Sequence, residues 1–217
     1  MSPRNSSYDP AHFTLYLSDF RGFDWRWNIP VEDYLECKQK RKPVCNGYNY
    51  RRFVTPAEPN LVMILDGLVD ALPKSEQTPI NIAEIIVEFT QHFPYQDKYP
   101  DGDDSGGFAK YPLETLCENG GDCVDMSIVA ASMLTARGID SRFLLWSDHL
   151  ALVINVAAEG EYCYVNQKKF YLANPVGAEF RDDHQKSSIG DKIQDCPLWK
   201  AQLLPAYNSI WQKKINS

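Results

Sequence analysis

Apolar residues recur along the chain with two different periods, and each period predicts one type of element. Apolar and polar residues alternate over residues 12–19, which predicts a strand. Over residues 60–72 the apolar residues return every three or four positions, which predicts an amphipathic helix facing a core. A second helix of this kind is predicted to begin at Pro79, with Thr78 as its N-cap.

The longest apolar run follows a short polar segment. Residues 120–125 read Gly-Gly-Asp-Cys-Val-Asp, and the apolar run after them ends at Arg137-Gly138. This order predicts a helix that begins at Cys123 and stops at the glycine. Helix N-termini present unpaired N–H groups and a positive dipole end, so we expect the pKa of the Cys123 thiol to fall. A thiol in this setting is a candidate nucleophile.

Runs rich in aromatic and branched apolar residues follow this helix and predict four strands, at residues 140–146, 149–156, 162–165 and 169–173. Their short connections predict an antiparallel meander. A short strand is also predicted at 48–54, and residues 93–110 are predicted to form a loop. The apolar residues of 199–211 are expected to pack back on the domain.

Composition limits the domain organisation and the partners. With 217 residues, 44% of them hydrophobic, the chain can bury one substantial core. We expect residues 1–53 to form an extension packed on a domain of residues 54–217. The net charge of −7 argues against nucleic acid and membranes as partners. Without a segment typical of a signal peptide or a membrane span, we expect a cytoplasmic protein.

The cysteines and acidic residues do not predict a metal site or a cofactor. Six cysteines are present, and in the cytoplasm most should be reduced thiols. No Cys-x-x-Cys pair indicates zinc. Residues 101–106 are similar to the opening of a calcium-binding loop, but Pro112 stands at the position that requires a bidentate Glu. A solvated acidic loop is therefore favoured over a calcium site.

Two motifs and a histidine together carry a family resemblance. Residues 111–116 read Tyr-Pro-Leu-Glu-Thr-Leu, residues 121–125 read Gly-Asp-Cys-Val-Asp, and His149 follows in an apolar strand. This order resembles the transglutaminase-like cysteine protease superfamily, and in particular its microbial single-domain members. The resemblance implies an α+β fold with a papain-like core, in which the catalytic helix packs on an antiparallel β-sheet.

The resemblance also implies three catalytic residues. Cys123 would be the nucleophile, His149 its general base, and Asn174 the third member of the triad. The superfamily usually has an Asp or Glu in that third place, so Asn174 either orients the imidazole or serves as a structural residue of the turn after its strand. Asp122 and Asp125 are interpreted as helix caps. The backbone N–H of Cys123 is expected to contribute to an oxyanion hole.

The implied function is acyl transfer through a thioester, with hydrolysis of a peptide or amide bond favoured over cross-linking. The expected partner is a protein or peptide substrate, and Tyr99, Phe108 and Tyr111 are the candidate substrate contacts. Two alternatives stay open. One is a non-catalytic interaction module that keeps the fold, and the other is acyl transfer from a thioester donor, as in arylamine acetyltransferases.

Overall fold

The structure is a computed structural model, which describes residues 8–9, 11–43, 49–96, 109–146, 149–177, 187–192 and 201–205. At the N-terminus, strands β1 (Tyr8–Asp9), β2 (His12–Phe20) and β3 (Phe23–Pro30) form an antiparallel sheet in this order. The strand predicted at 12–19 is thus confirmed. Its inward side chains Leu15 and Leu17 are buried, as the alternating pattern requires.

Five α-helices lie in the described part of the chain: α1 (Val31–Gln39), α2 (Pro59–Asp70), α3 (Pro79–Thr90), α4 (Pro112–Cys117) and α5 (Cys123–Ala136). The predicted start of α3 is confirmed, because the Thr78 side chain accepts a hydrogen bond from the backbone N–H of Asn81. The predicted C-terminal end of α5 is also confirmed. Gly138 follows it with φ +69°, a conformation that costs glycine little.

The short strand predicted at 48–54 is wrong. Tyr50–Arg52 forms a 3₁₀ helix instead, and a second one lies at Lys74–Glu76. In a strand, Arg51 and Phe53 would point to the same face, because side chains alternate with period two. Phe53 is fully buried and Arg51 is exposed, so the tighter turn separates the two side chains.

The second sheet consists of β4 (Ser141–Trp146), β5 (His149–Ile154), β6 (Tyr162–Val165), β7 (Lys168–Ala173) and β8 (Gln202–Pro205). Every paired strand is antiparallel, as predicted, but the spatial order β6-β7-β5-β4-β8 is not that of a meander. β7 rather than β6 lies beside β5. The last four residues of β7 are buried and suit the interior, whereas Tyr162 and Tyr164 of β6 are exposed and suit an edge.

Helix α5 is the central element of the fold. It packs against β5 and β4 of the second sheet and against α2, α3 and α4. Its buried residues lie on all sides of the helix, as expected for one surrounded by other elements. The predicted α+β architecture, with a helix packed on an antiparallel sheet, is confirmed.

Residues from Leu15 to Leu204 contribute to one hydrophobic core cluster. Strand β8 contains Leu204, which is buried against the sheet, so this part of the C-terminal segment does pack back. The division into an extension and a domain at residue 53 stays a prediction. Among the described helices, not one combines the length and the apolar character that a membrane span requires.

Phe89 of α3 links the helices to the N-terminal sheet. It is fully buried, and its ring lies 6.4 Å from that of Phe20 and 6.3 Å from that of Trp27. We expect Phe89→Ala to lower the free energy of unfolding by about 3–5 kcal/mol in urea denaturation, because the N-terminal sheet and α3 share this packing.

Phe23→Ala is the control, since Phe23 is 60% exposed and should lose less than about 1 kcal/mol. Equal losses in the two variants would contradict the packing of the N-terminal sheet on α3.

Candidate active site

The N-terminus of α5 is capped by two carboxylates. The Asp122 side chain accepts hydrogen bonds from the backbone N–H groups of Val124 (2.9 Å) and Asp125 (3.0 Å). In return, the Asp125 side chain accepts one from the backbone N–H of Asp122 at 3.4 Å. This reciprocal arrangement is a capping box, so the capping roles predicted for both acids are confirmed. It makes Cys123 the first residue of the helix.

Two glycines let the chain approach this helix start closely. A Cβ atom at Gly120, where φ is +139°, would lie 2.5 Å from the carbonyl oxygen of Pro94. A Cβ atom at Gly121 would lie 2.6 Å from the Asp125 side chain. Both positions therefore require glycine. The close approach allows the backbone N–H of Gln96 to donate to the Gly121 carbonyl at 3.0 Å.

Leu150 joins the start of α5 to the start of β5. Its backbone N–H donates a hydrogen bond to the Cys123 sulfur. Its carbonyl accepts a hydrogen bond of 3.0 Å from the Ser127 hydroxyl, one turn further along α5. His149 directly precedes Leu150 in β5, so the candidate base is one residue along the strand from this contact with the candidate nucleophile.

The pKa expected for Cys123 is wrong in direction. The residue is only 5% exposed, and burial raises the pKa of its thiol to about 11. The N–H of Leu150 lowers this pKa, while the carboxylates of Asp122 and Asp125 raise it further. Desolvation thus outweighs the helix terminus. Cys123 holds its proton at neutral pH and needs a base to become a nucleophile.

His149 and Asn174 lie side by side. His149 is buried at the start of β5, and its Nε2 lies 3.3 Å from Oδ1 of Asn174, just after the end of β7. The same Oδ1 accepts the backbone N–H of Val176 at 3.3 Å. The N–H of Val176 needs an acceptor, so the oxygen of the Asn174 amide, and not its nitrogen, faces the ring. We infer that Nε2 carries a proton and donates it to this oxygen. When the imidazole is neutral, Nδ1 then holds the basic lone pair.

Both roles considered for Asn174 are compatible with this geometry. Its contact with Nε2 suits an orienting residue, and its bond to the N–H of Val176 is that of an Asx turn. The two roles use the same oxygen. The turn can therefore fix the amide that faces the imidazole.

The substrate contacts suggested by sequence stay predictions. Tyr111 is 8% exposed, and its ring centroid lies 5.1 Å from that of Phe53. Its backbone N–H donates to the Glu114 side chain at 2.8 Å, within the helix cap of α4. Tyr99 and Phe108 lie outside the described residues.

The cysteines and metal ligands add no further group to the site. The four cysteines that the structure describes, Cys37, Cys117, Cys123 and Cys163, are free thiols, as expected. Within the described ranges, no group of three or more His, Cys, Asp or Glu side chains is arranged to hold a metal ion. Residues 101–106, with the resemblance to a calcium loop, lie outside those ranges.

Three polar side chains around the site were not singled out from the sequence. The Gln91 amide donates to the backbone carbonyl of Asn174 at 2.7 Å. The Gln96 amide donates to the carbonyl of Asn119 at 3.2 Å, and the Lys110 ammonium donates to that of Gly120 at 3.2 Å. Each contact joins segments far apart in sequence, and no spacing pattern reports such a contact.

Comparisons with known proteins give little further information. No family model matches the chain, and no curated protein matches it. A solved structure of calcium-bound LapG from Legionella pneumophila is similar with a TM-score of 0.36 and 16% identity, covering 86% of this chain and 99% of LapG. That TM-score is too low to assign a family or a function, so the proposals below rest on the geometry of the site and on the sequence motifs.

The raised pKa of Cys123 predicts a high pH midpoint for its alkylation. Only the thiolate reacts, so the rate of labelling by iodoacetamide should keep rising above pH 9, towards the pKa of about 11. Peptide mass spectrometry at a series of pH values would follow each cysteine separately. A plateau reached below pH 8 would contradict this prediction and would indicate a thiolate paired with an imidazolium.

Asp125 predicts a pH-dependent loss of stability. Burial raises the pKa of its carboxyl from 3.8 to about 7, and the Asp122 carboxylate adds to the rise. The folded state therefore binds this proton more tightly than the unfolded chain, and the free energy of unfolding falls as pH rises through this window.

Asp125→Asn has no carboxyl group to titrate at this position. In urea denaturation, the free energy of unfolding of the wild type should therefore fall relative to that of the variant between pH 4 and about 7. The titrating groups that do not interact with Asp125 are shared and cancel in the comparison. A difference between the two proteins that stays constant with pH would contradict the raised pKa.

Proposed function

We propose that the protein is a cysteine-dependent acyl-transfer enzyme that hydrolyses a peptide or amide bond through a thioester on Cys123. The main support is the contact of Cys123 with the residue after His149, together with the 3.3 Å contact between His149 and Asn174. A thiol, an imidazole and an amide in this order match the Cys-His-Asn form of the catalytic triad. The motifs at 111–116 and 121–125 support the same assignment.

The first step is proton transfer coupled to attack. His149 takes the thiol proton of Cys123 on Nδ1 while the sulfur bonds to the carbonyl carbon of the substrate. The pKa of about 11 makes this transfer necessary, because little thiolate exists at neutral pH. Asn174 is uncharged, so it orients the ring through Oδ1 without stabilising an imidazolium in advance.

The developing oxyanion needs donors at the helix start. The backbone N–H of Cys123 lies at the positive end of α5, where the helix dipole favours negative charge. The tetrahedral intermediate then collapses as the C–N bond breaks and the leaving amine takes the proton from His149. Water then attacks the thioester carbonyl carbon while His149 takes its proton. The C–S bond breaks, the carboxylic acid leaves, and the proton on His149 returns to the sulfur, which restores the thiol.

A non-catalytic interaction module is the second candidate. Two observations favour it: the third residue of the proposed triad is neutral, and Cys123 is 5% exposed in this structure. Such a module would keep the fold while its thiol behaved as an ordinary buried cysteine.

A peptide electrophile separates the two candidates. We expect a mixture of peptide vinyl sulfones to modify Cys123 in the wild type. In Cys123→Ala we expect no cysteine to be modified. Intact and peptide mass spectrometry would measure both results. His149→Ala should slow the reaction roughly 100-fold or more, which is the usual contribution of a general base.

His12→Ala is the matched control, because His12 lies in β2 and is not part of the proposed triad. It should react as fast as the wild type. If Cys123 reacts no faster than Cys163, and no slower without His149, the enzyme proposal is wrong and the interaction module takes its place.

A further inference from the structure

Lys110 is a buried cation that contacts the segment leading into the candidate nucleophile. Its side chain is 3% exposed, and its ammonium lies 2.9 Å from a carboxylate oxygen of Glu118. The ammonium also donates to the carbonyl of Gly120, and the backbone N–H donates to the Asp125 side chain at 2.8 Å. All of these partners lie in the segment that leads into Cys123 or in the first turn of α5.

The segment that Lys110 contacts is the C-terminal cap of α4. Asn119 and Gly120 have successive positive φ angles of 54° and 139°. The backbone N–H of Gly120 donates to the carbonyl of Thr115 at 3.0 Å, as in a left-handed helix cap, where Asn is one of the residues that tolerate a positive φ. Gln96 holds the turn from one side through the Asn119 carbonyl, and Lys110 holds it through the Gly120 carbonyl.

Glu118 connects Lys110 to the N-terminal helix α1. Its second carboxylate oxygen accepts hydrogen bonds from the Tyr34 hydroxyl at 2.9 Å and from the Lys38 ammonium at 3.0 Å. Burial acts to raise the pKa of Glu118, but the hydrogen bond and charge of Lys110, with the donors of α1, hold it below its usual value. Glu118 is therefore ionised and ties α1 to the turn.

Stability alone is a weak explanation for this arrangement. Burying an ammonium costs desolvation, and well-packed apolar residues in place of buried ion pairs are often neutral or stabilising. What the charged network supplies is fixed geometry at Gly120, three residues before Cys123. A small displacement of a reacting group is enough to slow catalysis strongly.

We propose that Lys110 is a positioning residue for Cys123, which fixes the turn before α5 and couples it through Glu118 to the N-terminal helix α1. This proposal deepens the proposed function and rests on it. We assign Lys110 no direct role at the thiol or at the imidazole. It acts only through the backbone that precedes the nucleophile.

The test uses the peptide vinyl sulfone reaction with three variants of the full chain. Lys110→Met keeps much of the side-chain volume without the charge, and we expect it to slow the modification of Cys123 roughly 10- to 100-fold. Lys110→Arg keeps the charge and should recover most of the rate. Lys38→Met removes one of the two links from α1, because the Tyr34 hydroxyl still donates to Glu118, and it should produce a smaller loss in the same direction.

The buried thiols of Cys37 and Cys117 distinguish positioning from a loss of folding. If Lys110 only stabilised the fold, Lys110→Met would unfold locally and expose both thiols. Iodoacetamide would then label both cysteines faster than in the wild type. Positioning predicts that both stay protected while the Cys123 reaction slows. If Cys123 in Lys110→Met reacts at the wild-type rate, the proposal is overturned. It is also overturned if the Cys123 reaction slows only when the thiols of Cys37 and Cys117 become exposed as well.

Two further outcomes remain distinguishable. If Lys110→Met does not fold, the double variant Lys38→Met with Tyr34→Phe tests the coupling, because it removes both donors of α1 to Glu118. Lys38 is 45% exposed, and Phe keeps the ring of Tyr34, so the core should stay intact. A wild-type rate in that variant would then reject the coupling through Glu118. A wild type whose Cys123 reaction does not depend on His149 would instead reject the proposed function, on which this inference depends.

Discussion

Burial of the N-terminus of α5 is the constraint on which the rest of the site depends. Backbone N–H groups at a helix start lack intrahelical partners, and inside a protein each needs another acceptor. Asp122 and Asp125 provide those acceptors, but they bring two carboxylates into a buried region. The backbone N–H of Lys110 donates to the Asp125 side chain, and the positive charge of Lys110 acts to lower the pKa of Asp125. The cap, the two glycines and the buried lysine thus follow from placing a helix start inside the fold.

The same burial decides the chemistry of the thiol. A helix N-terminus favours a thiolate, but desolvation and two nearby carboxylates act in the opposite direction and prevail at Cys123. A thiol that keeps its proton suits a neutral third residue. Asn174 can hold the tautomer of His149 without adding charge, and in the proposed mechanism base catalysis replaces a preformed ion pair.

Long-range polar contacts support each member of the proposed triad. The Gln91 amide bonds the carbonyl of Asn174, and a Cβ atom at Gly177 would lie 2.3 Å from the Gln91 carbonyl, so α3 is packed tightly against the turn after β7. Ser127 joins α5 to β5 beside His149. The site is therefore held by three elements of the core, and loops alone do not position it.

The sequence by itself determined the features that depend on local patterns. Periodicity predicted β2 and α2, and Thr78 and Pro79 predicted the start of α3. The acids and glycines around Cys123 predicted the start of α5 and its cap, because the relevant hydrogen bonds join residues within one turn. The pairing of His149 with Asn174 was implied by the family resemblance and not by a local pattern, and Nε2 of His149 lies 3.3 Å from Oδ1 of Asn174.

Only the tertiary structure decided the features that depend on burial and on distant partners. The insertion of β7 between β5 and β6, and the 3₁₀ turn that buries Phe53, follow from which faces meet the core. The pKa of Cys123 depends on how much water the assembled fold excludes. The contacts of Lys110 and Gln91 join residues that local sequence patterns do not relate. Burial is a property of the whole chain, and for that reason local spacing could not report it.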